Sequence, residues 1–210
     1  MRVHGIQSDL SQLDVSARLT KTENTRVYEC NIFMKNEKDS QSLLFWSPQL
    51  KCKMKDSGHL VFDLPSNDES EEFYTFLNNV DSNVVSLAQK NWVKWFGKDY
   101  PGDDDIADRY RTNIKVGSKD ECLRMLHTKV SPHIKCRINN EESSVVETPF
   151  TEDVKQISNV RALIELKRIV IGRSNFKGEY VVHQLLLPDE PEIEELHVQQ
   201  YSSETDWINL

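Results

Sequence analysis

VRALIELKRIVIGR (residues 160–173) and GEYVVHQLLL (residues 178–187) decide the fold. Both are dense in β-branched and long apolar residues, with charges interleaved. The short polar stretch Ser174–Asn175–Phe176–Lys177 joins them. Two such runs about a turn apart read as an antiparallel hairpin. With strict alternation through it, Lys167 shares a face with Glu165 and Arg173, and Arg168 lies opposite.

Working outward, HIKCRIN (133–139) reads as a further strand. In the first third, RVYECNIFM (26–34) alternates, the polar NEKDSQS (36–42) forms a turn, and LLFWSPQLKCKMK (43–55) is a strand interrupted by Pro48. HLVFDL (59–64) follows, and the three together are expected to form a meander. Lys51, Lys53 and Lys55 alternate and therefore share one face of their strand. Between these β regions, residues 69–96 contain neither Pro nor Gly. Phe73, Phe76, Leu77, Val80, Val84, Leu87, Ala88 and Trp92 recur at three- and four-residue steps. That is one face of a helix, or of two helices broken near Asn78–Asn83. Ser66 to Asp68 supply N-cap chemistry, and Asp68, Glu69, Glu71 and Glu72 suit the positive end of the helix dipole. Trp92 and Trp95 are expected to anchor this helix to the sheet. Asp103–Asp105 can open a short second helix. Strands, then helices, then strands again describe a mainly β protein with inserted helices (α+β). The architecture expected is a small β-barrel with a helical insertion at about 68–112, one domain over 1–187, and a flexible acidic tail over 188–210.

The charge is unevenly placed. The chain of 210 residues has 34 acidic and 26 basic side chains, net −8. Seven acids (Asp189, Glu190, Glu192, Glu194, Glu195, Glu204 and Asp206) fall in Pro188–Leu210, which has no Lys or Arg. Without that tail, 27 acids face 26 bases. Arg109–Arg137 is +6 and Arg161–Lys177 is +4. An acidic tail bearing Trp207 behind basic segments can guard a phosphate-binding groove, and charge runs can equally be solvated faces.

Other chemistries are poorly supported. The pattern contains no G-x-S-x-G, P-loop, H-E-x-x-H or G-x-G-x-x-G, so catalysis and cofactors are not expected. Cys122, His127, His133 and Cys136 have the right chemistry for zinc. However, only His133–Cys136 is knuckle-like, and on a strand those two point to opposite sides, so no metal is expected. The four cysteines are scattered, MRVHGIQSDL (1–10) lacks a secretory apolar stretch, and no run of about 18 apolar residues exists. A reducing compartment, cytoplasm or nucleus, is expected, with no membrane span and no secretion.

AQKNWVKWFGKDY (88–100), ADRYRTNIKVG (107–117), HIKCRIN and ALIELKRIVIGRSNFKGEY (162–180), in that order, carry a resemblance. The set resembles the single-stranded DNA-binding proteins of large DNA viruses, which are similar to the replication single-strand binders of short-tailed phages. The resemblance implies an OB-type barrel that binds single-stranded DNA with little sequence preference, in viral DNA replication and recombination. It also implies an acidic C-terminal tail that contacts replication proteins. Phage tails of this kind end on an aromatic, whereas here Ile208–Asn209–Leu210 follow Trp207. Phosphate contacts are expected from Lys51, Lys53, Arg111, Lys115, Lys135, Arg137, Lys167 and Arg173, and base stacking from Trp46, Phe176 and Tyr180. Glu194, Glu195, Asp206 and Trp207 are the partner-docking candidates. RNA is served by the same contacts, and a homodimer is compatible with the reading. The alternative is an interaction or structural module without nucleic-acid affinity.

Overall fold

Strand formation follows the apolar alternation in a computed structural model that describes residues 10–16, 19–22, 27–35, 40–55, 58–96, 100–117, 124–139, 145–148 and 156–187. The first third supplies β1 (Leu13–Val15), β2 (Thr20–Lys21), β3 (Tyr28–Lys35), β4 (Ser40–Gln41), β5 (Leu43–Trp46), β6 (Leu50–Lys55) and β7 (His59–Leu64). Helices α1 (Asp68–Phe96) and α2 (Asp103–Ala107) follow. Then come β8 (Ile114–Val116), β9 (Arg124–Asn139), β10 (Val145–Thr148), β11 (Gln156–Ile171) and β12 (Phe176–Leu187).

Five strands close on themselves. β6 pairs with β7, β7 with β9, β11 with β12 and β11 with β6, all antiparallel, while β12 and β9 run parallel. The result is a closed five-stranded barrel, consistent with the OB-like expectation. Closure leaves the ring no open edge. Its interior is filled by Leu50, Cys52, Leu60, Phe62, Leu126, Ile164, Leu166, Tyr180, Val182 and Leu185, all buried.

The expected meander is corrected in one respect. β6 and β7 form a hairpin, but β3 pairs with β1, β2, β4 and β11 and not with β5, the start of the next expected meander strand. β11 is long enough to hold three partners along one edge: β6 at Gln156–Val160, β5 at Leu163–Leu166 and β3 at Arg168–Ile171. The break at Pro48 is bridged by Ser47, whose N–H donates to the Ala162 carbonyl and whose Oγ accepts from the Ala162 N–H, both at 2.9 Å.

α1 is one unbroken helix. Asn67 caps it, its Oδ1 accepting from the Ser70 N–H at 2.9 Å. The polar run that suggested a break is satisfied within the helix, since Ser82, Asn83 and Ser86 donate to carbonyls four residues back. Phe73, Phe76, Leu77, Val80, Val84, Leu87 and Ala88 are buried as expected. Phe76 meets Phe45 edge-on at 5.0 Å between centroids. Trp92 and Trp95 are partly buried against the core. Asp81, on the same stripe, accepts from the Tyr110 hydroxyl at 2.6 Å and the Tyr180 hydroxyl at 3.1 Å, both through Oδ1.

The hairpin differs from strict alternation. The turn is Gly172–Asn175, and Phe176 and Lys177 already pair with Ile171 and Val170. A bulge at Lys167, between Leu166 and Arg168, shifts the phase and turns Arg168 to the outer face beside Glu179. There Arg168 bridges Glu29 on β3 and Glu179 on β12, and Glu179 also pairs with Lys129 on β9. Burial alone would push the Glu179 carboxyl up, but Lys129 and Arg168 outweigh it and hold the group below its usual range. A carboxylate lowered in the fold contributes stability that is full above its unfolded pKa of ~4.3 and lost as pH falls through the folded value. Glu179→Gln is therefore expected to cost about 1–3 kcal/mol at neutral pH and to flatten the acid limb of stability. Urea unfolding of both proteins at pH 7 and pH 3 measures this.

Candidate nucleic-acid interface

The register across β6, β7, β8 and β9 gathers cations that are far apart in sequence. Lys55 pairs with His59, His59 with Lys129, Val61 with His127, and Lys115 with Met125. Residues opposite one another in an antiparallel pair share a face. Leu60, Phe62 and Leu126 fill the barrel, so these partners all lie outside it. Lys51, Lys53, Lys55, Lys115, Lys129 and Lys177 are exposed. Val61 is closed off from solvent among them.

His127 reports on the field at the centre of this face. Burial pushes its pKa down first, and Lys115, Lys55, His59 and Lys177 push the same way, to about 4. The ring is thus neutral at physiological pH, with its Nε2 buried and unpaired. Among the described residues, two carboxylates touch the face: Asp63, with the Lys53 ammonium 3.8 Å away, and Glu179, paired with Lys129.

A second basic zone adjoins it at the tip of the β11–β12 hairpin. The Arg111 N–H donates to the Phe176 carbonyl at 2.8 Å, and the Phe176 N–H to the Arg109 carbonyl at 3.0 Å. Arg109 and Arg111 are thereby fastened beside Arg173 and Lys177. The β6–β7 connection begins next to the same face, where Gly58 takes φ +70° to let the chain reverse.

Of the expected phosphate contacts, Lys51, Lys53 and Lys115 come together on the barrel face, and Arg111 and Arg173 on the hairpin tip. Lys135 lies farther along β9, opposite Gln184 of β12. Arg137 is placed on β9 opposite Leu186, and its side chain lies outside the described residues. Lys167 is on β11 at the bulge, separated from the cluster by β12. Two stacking candidates are corrected. Phe176 and Tyr180 are each 2 % exposed and point into the core, so neither offers a ring face to a base. Trp46 is partly buried on β5, with the Arg161 guanidinium carbon 5.7 Å from its ring centre, away from β7 and β9. The acidic tail, with Glu194, Glu195, Asp206 and Trp207, lies outside the described residues, as does Cys122. On β9, Cys136 is buried and its thiol is pushed up to about 11 by burial, while His133 is exposed, so the two do not converge.

Lys55, His59, His127, Lys129 and Lys177 belong to the face and are absent from the expected set. Lys55 had a signal in the Lys51–Lys53–Lys55 alternation. His59 and His127 had none, because only the β7–β9 pairing puts them on one surface.

No protein-family model matches the sequence, and no curated protein matches it. Among solved structures, the chain is similar to the single-stranded DNA-binding protein from bacteriophage Enc34. Identity is 14%, the TM-score is 0.44, and the likeness covers 87% of this chain and 93% of that one. Likeness of this degree decides neither the fold nor the function of this chain.

Proposed function

We propose that this protein binds single-stranded DNA without sequence preference through the outer face of β6, β7, β8 and β9 and the adjoining hairpin tip. The observation that carries the reading is the ring of Lys55, His59, Lys115 and Lys177 around His127 in a chain whose net charge is −8. Concentrated cations on one side of an otherwise acidic molecule suit a polyphosphate. In order along the ring-forming strands, β7 and β9 are the second and third, and OB-type barrels use that face, with the flanking first–second and fourth–fifth loops, for oligonucleotides.

With Phe176 and Tyr180 in the core, phosphate contacts rather than stacking supply most of the affinity. Binding is then steep in salt. Five neutralised phosphates give a log–log slope of about −3.5, a loss of about 100-fold between 50 and 200 mM. Phosphate contacts serve RNA as well. The role is non-enzymatic, in replication or recombination of viral DNA in the cytoplasm or nucleus. The tail from Pro188 onward competes for the basic face and docks replication proteins through Trp207.

Titration of fluorescent oligo-dT against the full chain and against a chain ending at Leu187, at two salt concentrations, tests this. The shortened chain is expected to bind more tightly, and salt to weaken both. Absence of binding by the shortened chain at low salt overturns the proposal in favour of a protein-interaction module. Equal affinity for duplex shows a generic basic surface instead.

A further inference from the structure

We infer that the cleft between the last turns of α1 and the tip of the β11–β12 hairpin is a phosphate-binding subsite beyond the barrel face. The inference rests on the nucleic-acid reading above and deepens it at the hairpin tip, where α1 supplies the facing wall. The cleft encloses about 120 Å³ and is walled by Trp92, Arg109, Gly172, Arg173, Ser174 and Asn175. Among the described residues, its lining includes Arg109 and Arg173 and no Asp or Glu. The volume suits a phosphate group with a water or two.

Arg109 is held in advance. Its guanidinium carbon lies 5.3 Å from the centre of the Trp92 ring, and its backbone carbonyl is tied to Phe176. A guanidinium already fixed against an aromatic face loses little freedom when it grips an oxyanion. The opposite wall is a closed turn, in which the Gly172 N–H donates to the Asn175 carbonyl at 2.8 Å. A Cβ at Gly172 would meet the Asn175 Oδ1 at 3.3 Å, so the turn is drawn tight, with Arg173 and Ser174 exposed at its tip. Lys177 lies one residue past Phe176 and also belongs to the cation ring around His127. It links the barrel face to the cleft, so a strand on β7 and β9 has a cationic path to Arg109.

The phosphate can be an internal diester of the bound strand or the monoester at its end. The experiment uses the full chain and the double variant Arg109→Gln, Arg173→Gln. Inorganic phosphate is titrated while the Trp92 indole N–H is followed by nitrogen-15 NMR. Oligo-dT with and without terminal phosphates is titrated at several salt concentrations. The indole signal is expected to move in the native chain and stay still in the variant. The variant is expected to bind oligo-dT about tenfold more weakly, with a salt slope smaller by about 1.4. Loss for every oligonucleotide identifies an internal phosphate, and loss only for end-phosphorylated ones identifies the terminus. Unchanged oligonucleotide binding by the variant, with native binding intact, overturns the subsite and the part of Arg109 and Arg173 in binding, and leaves the barrel face as the binding surface. A native chain that moves Trp92 with phosphate but binds no oligonucleotide overturns the nucleic-acid reading and leaves the cleft as a phosphate site. A Trp92 signal unmoved in the native chain overturns the cleft itself.

Discussion

A chain carrying Lys55→Glu, Lys115→Glu and Lys177→Glu together is expected to bind oligo-dT about 100- to 1,000-fold more weakly than the native chain at 50 mM salt. Each reversal removes one phosphate contact and adds repulsion, and each lost contact lowers the salt slope by about 0.7, or about 2 for the three. The loss should be the same for homopolymer and mixed sequences, because none of these side chains is aimed at a particular base. All three are exposed, so the fold should melt nearly as before. A second triple variant, Lys21→Glu, Lys35→Glu and Lys90→Glu, reverses three exposed cations off the barrel face and makes the same change in net charge. Fluorescence anisotropy across a salt series reads both quantities. Equal losses for the two triple variants would assign binding to net charge rather than to the barrel face.

The largest effect on stability is expected at Asp81. Burial raises its carboxyl pKa above the usual range, and the Tyr110, Thr112 and Tyr180 hydroxyls only partly offset this. The carboxyl joins α1 to β12 and to the segment carrying Arg109 and Arg111. Asp81→Ala leaves two buried hydroxyls without their acceptor and is expected to cost about 2–4 kcal/mol, lowering Tm by about 5–15 °C. Asp81→Asn keeps an acceptor oxygen and the volume, so it should recover most of that loss. A raised carboxyl contributes stability that is full below the unfolded pKa and lost as pH rises through the folded value. The gap between Asp81→Asn and the native protein should therefore shift in favour of Asn from pH 4 to pH 8. Thermal melts of the three proteins at both pH values test this. If Asp81→Ala melts with the native chain, the hydroxyl network does not hold the helix to the barrel.

Both predictions depend on features of unequal legibility. The stripe from Phe73 to Ala88 was plain because helical periodicity is a local property. So was the shared face of Lys51, Lys53 and Lys55, since alternation needs only neighbouring residues. The direction of Phe176 and Tyr180 was not legible. Phe176–Leu187 is apolar on both faces over much of its length, so alternation alone does not say which set enters the core. The bulge at Lys167 likewise has no local mark. It arises where β11 must satisfy β12 on one edge and three shorter strands on the other, and it moves Arg168 onto the face that Glu179 occupies.

The amino-acid sequence by itself determined the long hairpin, the amphipathic helical stripe and its position between β regions, and the concentration of acids behind Leu187; that the stripe forms one helix rather than two was left to the structure. These follow from periodicity and composition over stretches of ten to thirty residues. Only the tertiary structure decided which bases meet. Lys55, His59, Lys115 and Lys177 come from four separate segments, and their proximity to His127 is set by the antiparallel register of β7 on β9 and of β8 on β9, with the parallel lie of β12. Register is a long-range property: a shift of one residue moves every side chain of a strand to the other face, and closure of the barrel core selects among the shifts.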